Sequence, residues 1–480
     1  MAEVRIGLEI HCQLTGLLSK LFCLCHCDYR GKEANTNICP ICSGIPGTLP
    51  LLNQRAVEFA AMISLAIGCK IPDLIMFYRK NYFYPDLPKN FQITQYNSHE
   101  ITTVGVDGKI DYGIKSARIR RVQLEEDPGR LVYEGTNADS RFYTLIDYNR
   151  AGTSLVEIVT EPDFNEPKDV RLFLNKVTSV VEHLGVCDTK LEGSVRCDAN
   201  VSLEGGKRVE IKNVGSFRDV EKALSYEITR QKTMSVRDIE IKSETRHWDE
   251  ARKVTKQART KEEEEDYRYF PEPDIPIILL GNEFLSSLRA KMPELPDERK
   301  IRFLTDYKLS DHVAHVLIEN KELADFFESA VKIYPTSPNE TANWIVSDLL
   351  GLASDSKDED GSLFSGLKIE AKHMAELVSM LDQNIINRSI AKTILGQVTK
   401  TGQMPSQILD KMNASIIDNR VIISETIEKI FESEKSAVRD ARQNPSVTNF
   451  LLGKVMQLTR GRADPKIAMS LIKDRLAKLE

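Results

Sequence analysis

Three acidic residues and one histidine stand on segments whose residue patterns predict β-strands. Successive side chains of a strand point to opposite faces, so Glu9 and His11 of GLEIH share a face. Glu126 of RVQLEED and Glu157 of SLVEIVTE each share a strand face with aliphatic residues. A carboxylate on an apolar face is costly unless a cation, an arginine or a metal ion pairs with it. These residues are therefore the first candidates for a functional site.

Two interpretations of the carboxylates stay open on spacing alone. Arginines such as Arg150 or Arg196 could neutralise them in structural ion pairs. Alternatively, His11, Glu126 and Glu157 converge on one hard cation. Mg²⁺ would fit, because it takes oxygen ligands and bridges phosphates, and one histidine among the ligands is tolerable.

The segment FCLCHCDYRGKEANTNICPIC predicts a zinc knuckle at about residues 22–43. Its C-x-C and C-x-x-C pairs can each present two thiolates to one ion, and four soft ligands close a structural zinc site. The expected ligands are Cys23, Cys25, Cys39 and Cys42. Cys27 and His26 are possible substitutes, and the alternative is a group of free thiols or a redox pair.

The stretch Arg79–Asn97 combines tyrosines, phenylalanines, prolines and basic residues without a helical or strand period. Its two prolines keep the middle out of regular structure, which predicts a loop. The loop is too aromatic to lie in water, so we expect Tyr82, Phe83 and Tyr84 to pack it against the body of the protein.

The elements that must position these residues form an α+β chain of 480 residues, long enough for about two to four domains. Residues 1–290 mix short strands and helices, 291–405 are helical, and 406–480 form a small helical tail. The net charge is −6, so the overall charge of the protein does not by itself indicate a nucleic acid partner. Residues 453–478 are nevertheless locally basic, with seven Lys or Arg against two Asp.

Several other classes of protein are disfavoured. No apolar run is long enough to span a membrane, no signal or transit peptide is recognisable, and the nine cysteines do not suit a secreted disulfide framework. We therefore expect a cytoplasmic protein of a bacterium or archaeon. The sequence contains no Walker A, Rossmann or GxSxG motif, so any ATP site is of an uncommon kind.

Long motifs along nearly the whole chain resemble one family. They include IGLEIHCQL, RKNYFYPDLPKNFQITQY, DYNRAGTSLVEIVTEPD, DYRYFPEPDIP and NFLLGKVMQLTRGRADP. These segments are similar to the B subunit of the aspartyl/glutamyl-tRNA(Asn/Gln) amidotransferase. The resemblance implies a mixed α/β cradle-type catalytic domain with a zinc knuckle, an all-α domain and a helical tail that contacts tRNA.

The resemblance also implies an activity and partners. Such a protein uses ATP and Mg²⁺ to phosphorylate the side-chain carboxylate of Glu-tRNA(Gln) or Asp-tRNA(Asn), and ammonia then displaces the phosphate. The ammonia comes from a glutaminase subunit, and a small third subunit braces the heterotrimer. Zinc would be structural. The alternatives are the E subunit of the two-subunit archaeal enzyme, or a non-catalytic zinc-containing RNA-binding protein with the same fold.

Individual residues follow from the resemblance. The family's magnesium ligands correspond to His11, Glu126 and Glu157, with Glu9 alongside. Lys80 and Lys89 would line the site or the ammonia channel, with Asp274 nearby.

The basic tail supplies the candidate contacts to tRNA phosphates. These candidates are Arg460, Arg462 and Lys466. The alternative is an ordinary solvated helix face.

Overall fold

The computed structural model describes residues 3–97, 101–134, 143–260, 264–355, 364, 366–412, 420–443, 447–459, 463 and 465–477. The chain divides into two compact units, Met1–Glu298 and Arg299–Glu480. An α+β chain with a mixed first part followed by helices was predicted, and this arrangement is confirmed. The three-part domain division stays a prediction.

The strands belong to the first unit. They are β1 Val4–Gln13, β2 Leu74–Ile75, β3 Tyr78–Asn81, β4 Phe91–Thr94, β5 Gly105–Tyr112, β6 Lys115–Glu126, β7 Arg130–Glu134, β8 Tyr143–Asp147, β9 Ser154–Thr160, β10 Val195–Leu203, β11 Val209–Lys212, β12 Glu244–Asp249, β13 Val254–Thr260, β14 Phe270–Pro271 and β15 Ile278–Leu279.

Helices occur in both units. They are α1 Gln54–Ala66, α2 Pro167–His183, α3 Phe217–Val236, α4 Asn282–Lys291, α5 Pro296–Thr305, α6 Asp311–Ile318, α7 Lys321–Ile333, α8 Pro338–Asn343, α9 Leu350–Asp355, α10 Ala371–Asp382, α11 Arg388–Thr401, α12 Pro405–Met412, α13 Arg420–Ser433, α14 Lys435–Gln443, α15 Thr448–Leu458 and α16 Pro465–Ala477. A π-helical segment, Trp344–Leu349, joins α8 to α9.

An eight-stranded sheet organises the first unit, in the order β13-β12-β11-β10-β1-β9-β6-β5. Its central strand β1 runs antiparallel to both β10 and β9, and β9 runs antiparallel to β6. The even-numbered side chains of β1, from Ile6 to Cys12, join residues of α1, α2 and α3 in one hydrophobic core. The opposite face of β1, β9 and β6 carries the polar residues of the candidate site, because strand side chains alternate between faces.

The aromatic stretch predicted as a loop is only partly a loop. Its two ends form β3 and β4, which pair antiparallel, with Lys80 opposite Gln92. Residues 82–90 connect them and contain both prolines. Proline removes a backbone donor, so the two prolines interrupt the middle while the flanks remain free to pair.

The second unit is helical and contains two hydrophobic clusters. One draws on residues 303–409 and the other on residues 423–472. Side-chain caps begin several helices: the Asn320 carboxamide accepts a hydrogen bond from the Leu323 amide at 3.2 Å, and Asn387 caps Ile390 at 3.0 Å. Gly402 ends α11 with φ +70°, a conformation that glycine adopts without strain.

Candidate active site and metal centre

Three residues of adjacent strands bring their side chains together on the polar face of the sheet. Backbone pairing sets His11 of β1 opposite Glu157 of β9, and Glu157 opposite Gln123 of β6. Glu125 lies two residues beyond Gln123 and therefore on the same face. One ligand atom each from His11, Glu125 and Glu157 lies within 4.8 Å of the others. We call these three residues the acid cluster.

Hydrogen bonds orient the acid cluster. The Thr94 hydroxyl donates to Glu125 Oε2 at 2.9 Å, and the Gln123 amide donates to Glu157. His11 Nε2 lies 3.9 Å from Glu125 Oε1. Both glutamates are buried, at 5% and 8% exposed. Buried carboxylates at this separation repel each other, so the cluster is electrostatically incomplete without a cation.

The pKa values of the two glutamates reflect the cost of burying two negative charges close together. Burial raises the pKa of Glu157 to about 7, and the charge of Glu125 adds to the rise while His11 opposes it. Burial also raises the pKa of Glu125, against the positive charge of Lys80. Two carboxylates and one imidazole fit a hard divalent cation that keeps some of its waters.

Glu126 is not a member of the acid cluster, and its predicted place there is taken by Glu125. Lys89 Nζ contacts both carboxylate oxygens of Glu126, at 2.5 and 2.7 Å, and the Ile93 amide donates to Oε1 at 2.8 Å. The alternation along β6 explains the difference, since Glu126 points away from the face that carries Glu157. Lys89 is thereby placed at Glu126 and not at the acid cluster.

Two other predicted site residues, Glu9 and Lys80, interact electrostatically with the glutamates of this centre. Glu9 accepts a hydrogen bond from Asn200 Nδ2 at 3.0 Å, and its charge contributes to the raised pKa of Glu157. Lys80 lies near Glu125 and sits over the ring of Tyr267, with Nζ 4.6 Å from its centroid.

Asp274 is bound instead to Arg79, with an oxygen 3.1 Å from Nη2. The same guanidinium holds Glu272 in a bidentate pair with both distances at 2.7 Å. Asp274 therefore belongs to an ion-pair network at the β3–β14 pair.

The suggestion that Arg150 and Arg196 neutralise the predicted carboxylates is wrong. Both bind Asp127, which the sequence analysis did not single out: Arg196 Nη2 lies 2.9 Å from Oδ1 and Arg150 Nε lies 3.8 Å from Oδ2. Burial acts to raise the pKa of Asp127, but the two guanidinium groups outweigh it and lower that pKa. These arginines leave Glu125 and Glu157 to another cation.

The four predicted zinc ligands form one group. Cys23, Cys25, Cys39 and Cys42 bring their sulfur atoms within 4.8 Å of one another. Cys42 Sγ lies 3.9 Å from Cys25 Sγ and 3.8 Å from Cys39 Sγ. This separation and donor set fit one tetrahedral zinc ion.

The possible substitutes, Cys27 and His26, lie outside the group. The Cys27 thiol is directed at the Leu14 carbonyl at 3.5 Å. His26 Nδ1 accepts a hydrogen bond from the Asp28 amide at 3.1 Å. Cys27 and His26 are thus engaged in contacts of their own.

Lys20 is a feature of this centre that sequence reasoning missed. It is fully buried, and its Nζ lies 3.0 Å from the Asn37 carbonyl and 3.7 Å from Cys42 Sγ. A hydrogen bond with Cys23 lowers the pKa of Cys42, and the charge of Lys20 lowers it further. A buried ammonium group beside thiols is the charge balance that a four-thiolate zinc site of net negative charge requires. A lysine just before a C-x-C pair was the available sequence signal.

Two further expectations have different outcomes. Phe83 and Tyr84 pack against the body only in part, being 69% and 42% exposed, whereas Tyr82 contacts the ring of Tyr267. In the tail, Arg460 and Arg462 lie outside the described residues, whereas Lys466 is exposed in the first turn of α16. None of the described helices is long and apolar enough to cross a membrane.

Comparisons with known proteins agree with this architecture. Residues 4–286 match the family model described as the GatB/GatE catalytic domain, and residues 325–476 match the one described as a GatB domain. The first match contains every residue of the acid cluster and of the cysteine group. The fold and site therefore define a catalytic subunit of the amidotransferase class.

Relatives that match over nearly the full length of the chain identify a particular family within this class. The chain is 46% identical to a protein of Sulfurisphaera tokodaii, over 98% of both chains, and 43% identical to one of Thermotoga maritima, also over 98% of both. A third, from Carboxydothermus hydrogenoformans, is 40% identical over 99% of both. Each is named as the B subunit of aspartyl/glutamyl-tRNA(Asn/Gln) amidotransferase, and this chain belongs to that family.

Proposed function

We propose that this chain catalyses the activation and amidation of a misacylated tRNA. The γ-phosphoryl group of ATP is transferred to the side-chain carboxylate of Glu-tRNA(Gln), Asp-tRNA(Asn) or both, and ADP leaves. Ammonia then attacks the carbonyl carbon of the acyl phosphate, phosphate leaves, and the nitrogen loses a proton to give the amide. The product is Gln-tRNA(Gln) or Asn-tRNA(Asn).

The observation that carries the proposal is the acid cluster within the region that matches the catalytic family model. His11, Glu125 and Glu157 would hold Mg²⁺, which in phosphoryl transfer neutralises charge on the phosphate oxygens. Lys80 adds a positive charge near Glu125, where a transferred phosphoryl group would need it.

The surroundings of the acid cluster suit an intermediate that water destroys. Tyr82 and Tyr267 have ring centroids 6.0 Å apart, and Lys80 lies over Tyr267. We propose that these rings help to shield an acyl phosphate from water while neutral ammonia can still approach it.

The cysteine group has a structural part in the proposal. Its thiolates would bind one zinc ion and so hold together the segment of residues 23–42, which precedes α1. Because four thiolates leave no open coordination position, we assign zinc no step of the reaction.

The partners follow from the family. We propose that the chain works with a glutaminase subunit that supplies ammonia and a small third subunit, in a cytoplasmic heterotrimer. The relatives named as B subunits match over nearly their full length, which favours this assembly over the E subunit of the two-subunit enzyme. The buried acid cluster disfavours a non-catalytic RNA-binding protein, which would not need it.

The test uses the complex with its glutaminase and small partner subunits. Ammonium chloride replaces glutamine, so amide formation on Glu-tRNA(Gln) and Asp-tRNA(Asn) reports on this chain with ATP and Mg²⁺ present. At a Mg²⁺ concentration that half-saturates the wild type, we expect amide on at least one tRNA, a much lower rate in Glu125→Gln, and an unchanged rate in Glu250→Gln, which alters an exposed glutamate. A wild-type complex that binds both tRNAs but converts neither contradicts the proposal.

A further inference from the structure

Six tyrosines from two distant parts of the sequence form a continuous row of ring contacts beside the acid cluster. The row, which we call the tyrosine array, runs in the order Tyr84, Tyr82, Tyr267, Tyr269, Tyr96 and Tyr78. Neighbouring centroids lie 4.2 to 6.2 Å apart. Two pairs are nearly parallel: Tyr96 and Tyr269 at an interplanar angle of 5°, and Tyr82 and Tyr84 at 19°.

The array runs from the protein interior to its surface. Tyr78 is 6% exposed at one end, whereas Tyr84 is 42% exposed at the other. Phe83 follows Tyr82 in the chain and is 69% exposed. A cluster that served packing alone would bury its rings at both ends, because each aromatic ring buries a large apolar area.

Cations are interleaved with the rings. Lys80 Nζ lies 4.6 Å from the centroid of Tyr267, and Arg268 Cζ lies 5.6 Å from that of Phe83. Alternating aromatic rings and cations are the combination that binds single-stranded nucleic acid, since bases stack on the rings and phosphates pair with the cations. An interface for a second protein could also use exposed aromatics and arginine, but it does not require a row of ring contacts that runs from the interior to the surface.

The array ends next to the proposed chemistry. Lys80, whose Nζ lies over the ring of Tyr267, belongs to β3, which pairs with β4. Strand β4 ends at Thr94, which is hydrogen bonded to Glu125, and Tyr96 follows two residues later. An RNA whose end reached the acid cluster would therefore lie along the array.

We propose that the tyrosine array, with Phe83, is a stacking platform for the unpaired 3′-terminal nucleotides of the aminoacylated tRNA. This inference rests on the proposed function, because the reacting amino acid is esterified to the terminal ribose. The last few nucleotides of the tRNA must then lie close to the acid cluster. Base stacking tolerates any base, so the platform fixes the position of the end without reading the identity of the tRNA.

The test places 2-aminopurine at the 3′-terminal adenosine position of an uncharged tRNA and titrates it with the wild-type complex. Stacking on aromatic rings quenches this fluorescent base, so we expect quenching on binding. The double variant Phe83→Ala, Tyr84→Ala removes the two exposed rings, and we expect it to lose the quenching and to bind about tenfold more weakly. Tyr226→Ala, which alters another exposed tyrosine on α3, should change neither.

Three readouts separate the outcomes. Undiminished quenching in the double variant overturns the platform. Loss of the partner proteins from the purified double variant also overturns it, because these rings then belong to a protein interface. If the wild-type complex forms amide with ammonium but the terminal base is never quenched, the result supports the proposed function and contradicts the stacking platform. If the wild-type complex forms no amide, the proposed function is contradicted. The quenching assay uses uncharged tRNA and does not depend on that reaction.

Discussion

At the scale of single residues, the neighbours Glu125 and Glu126 are expected to behave differently. Glu125 belongs to the acid cluster, whereas Glu126 is paired with Lys89. We predict that Glu125→Gln raises the Mg²⁺ concentration for half-maximal amide formation by about tenfold or more. Glu126→Gln should leave that concentration nearly unchanged. A Mg²⁺ titration of the ammonium-driven reaction measures both, and equal shifts would contradict the assignment.

The choice between these two glutamates shows what sequence alone could not decide. The residue pattern correctly predicted β1 and β9 as strands, and the structure brings His11 and Glu157 of these strands together. On β6, however, Glu125 and Glu126 are adjacent glutamates that are both buried, so residue types alone do not decide which of them shares a face with Glu157. Only the pairing of Gln123 with Glu157 determines it, and that register depends on residues far apart in the chain.

A second prediction at this scale concerns the ion pair of Lys89 and Glu126. The side chains are 15% and 4% exposed, so neither charge is well solvated. Lys89→Met leaves a buried carboxylate without its cation and should lower the free energy of unfolding by about 3–5 kcal/mol. Adding Glu126→Gln removes that unpaired charge and should recover most of the loss. Urea unfolding of the four proteins of this cycle gives the coupling, and additive losses would exclude it.

At the scale of elements, the cysteine segment gives a matched pair of variants. Cys25→Ser removes one of four grouped thiols, so we expect bound zinc to fall from about one ion per chain towards zero and the melting temperature to drop. Cys27→Ser changes a thiol outside the group and should retain zinc. Metal analysis of the purified chains distinguishes them. Zinc loss in Cys27→Ser with retention in Cys25→Ser would reverse the ligand assignment.

This segment could be predicted from sequence because its geometry is local. Two short cysteine pairs fix which thiols can meet, whatever the rest of the fold does. The stretch from β3 to β4 could not be predicted so well, since its strands pair across two prolines and β3 also pairs with the distant β14. Lys20 was missed for a related reason: only the folded segment returns Cys42 to a lysine more than twenty residues earlier.

The start of α10 should make the helical unit sensitive to pH. His373 is buried, and its Nδ1 accepts a hydrogen bond from the Glu370 amide at 3.0 Å, which requires a neutral ring. Burial lowers the pKa of His373 below 6.5. The unfolded chain therefore takes up a proton first as pH falls, so this contribution is complete above about pH 6.5 and is lost on further acidification.

His373→Gln tests this effect, because glutamine can make the same hydrogen bond without titrating. Relative to the variant, the wild type should lose about 1 kcal/mol of unfolding free energy between pH 7.5 and pH 5. Urea unfolding followed by the fluorescence of Trp344, which is buried in the same unit, measures the difference. A difference that does not change with pH would contradict the prediction, because it would mean that His373 has the same pKa in the folded and the unfolded chain.

At the scale of the whole molecule, the distribution of charge along the chain is a better guide to RNA contacts than the net charge. The chain carries −6 overall, yet residues 453–478 have an excess of five positive charges. A local excess of cations can attract phosphate groups even when the net charge of the protein is negative. The tail is therefore the place to look for phosphate contacts, and the tyrosine array for contacts with bases.

Lys466 permits a quantitative test of the tail. It is exposed on α16, and phosphate contacts release counterions, so affinity depends on salt with a slope set by their number. We predict that Lys466→Gln weakens binding of both tRNAs alike and reduces the slope of log affinity against log salt by about 1. Lys207→Gln, in the exposed turn between β10 and β11, should leave the slope unchanged. Because a phosphate contact carries no sequence information, a loss confined to one of the two tRNAs would mean that Lys466 reads a feature of that tRNA and does not simply hold its backbone.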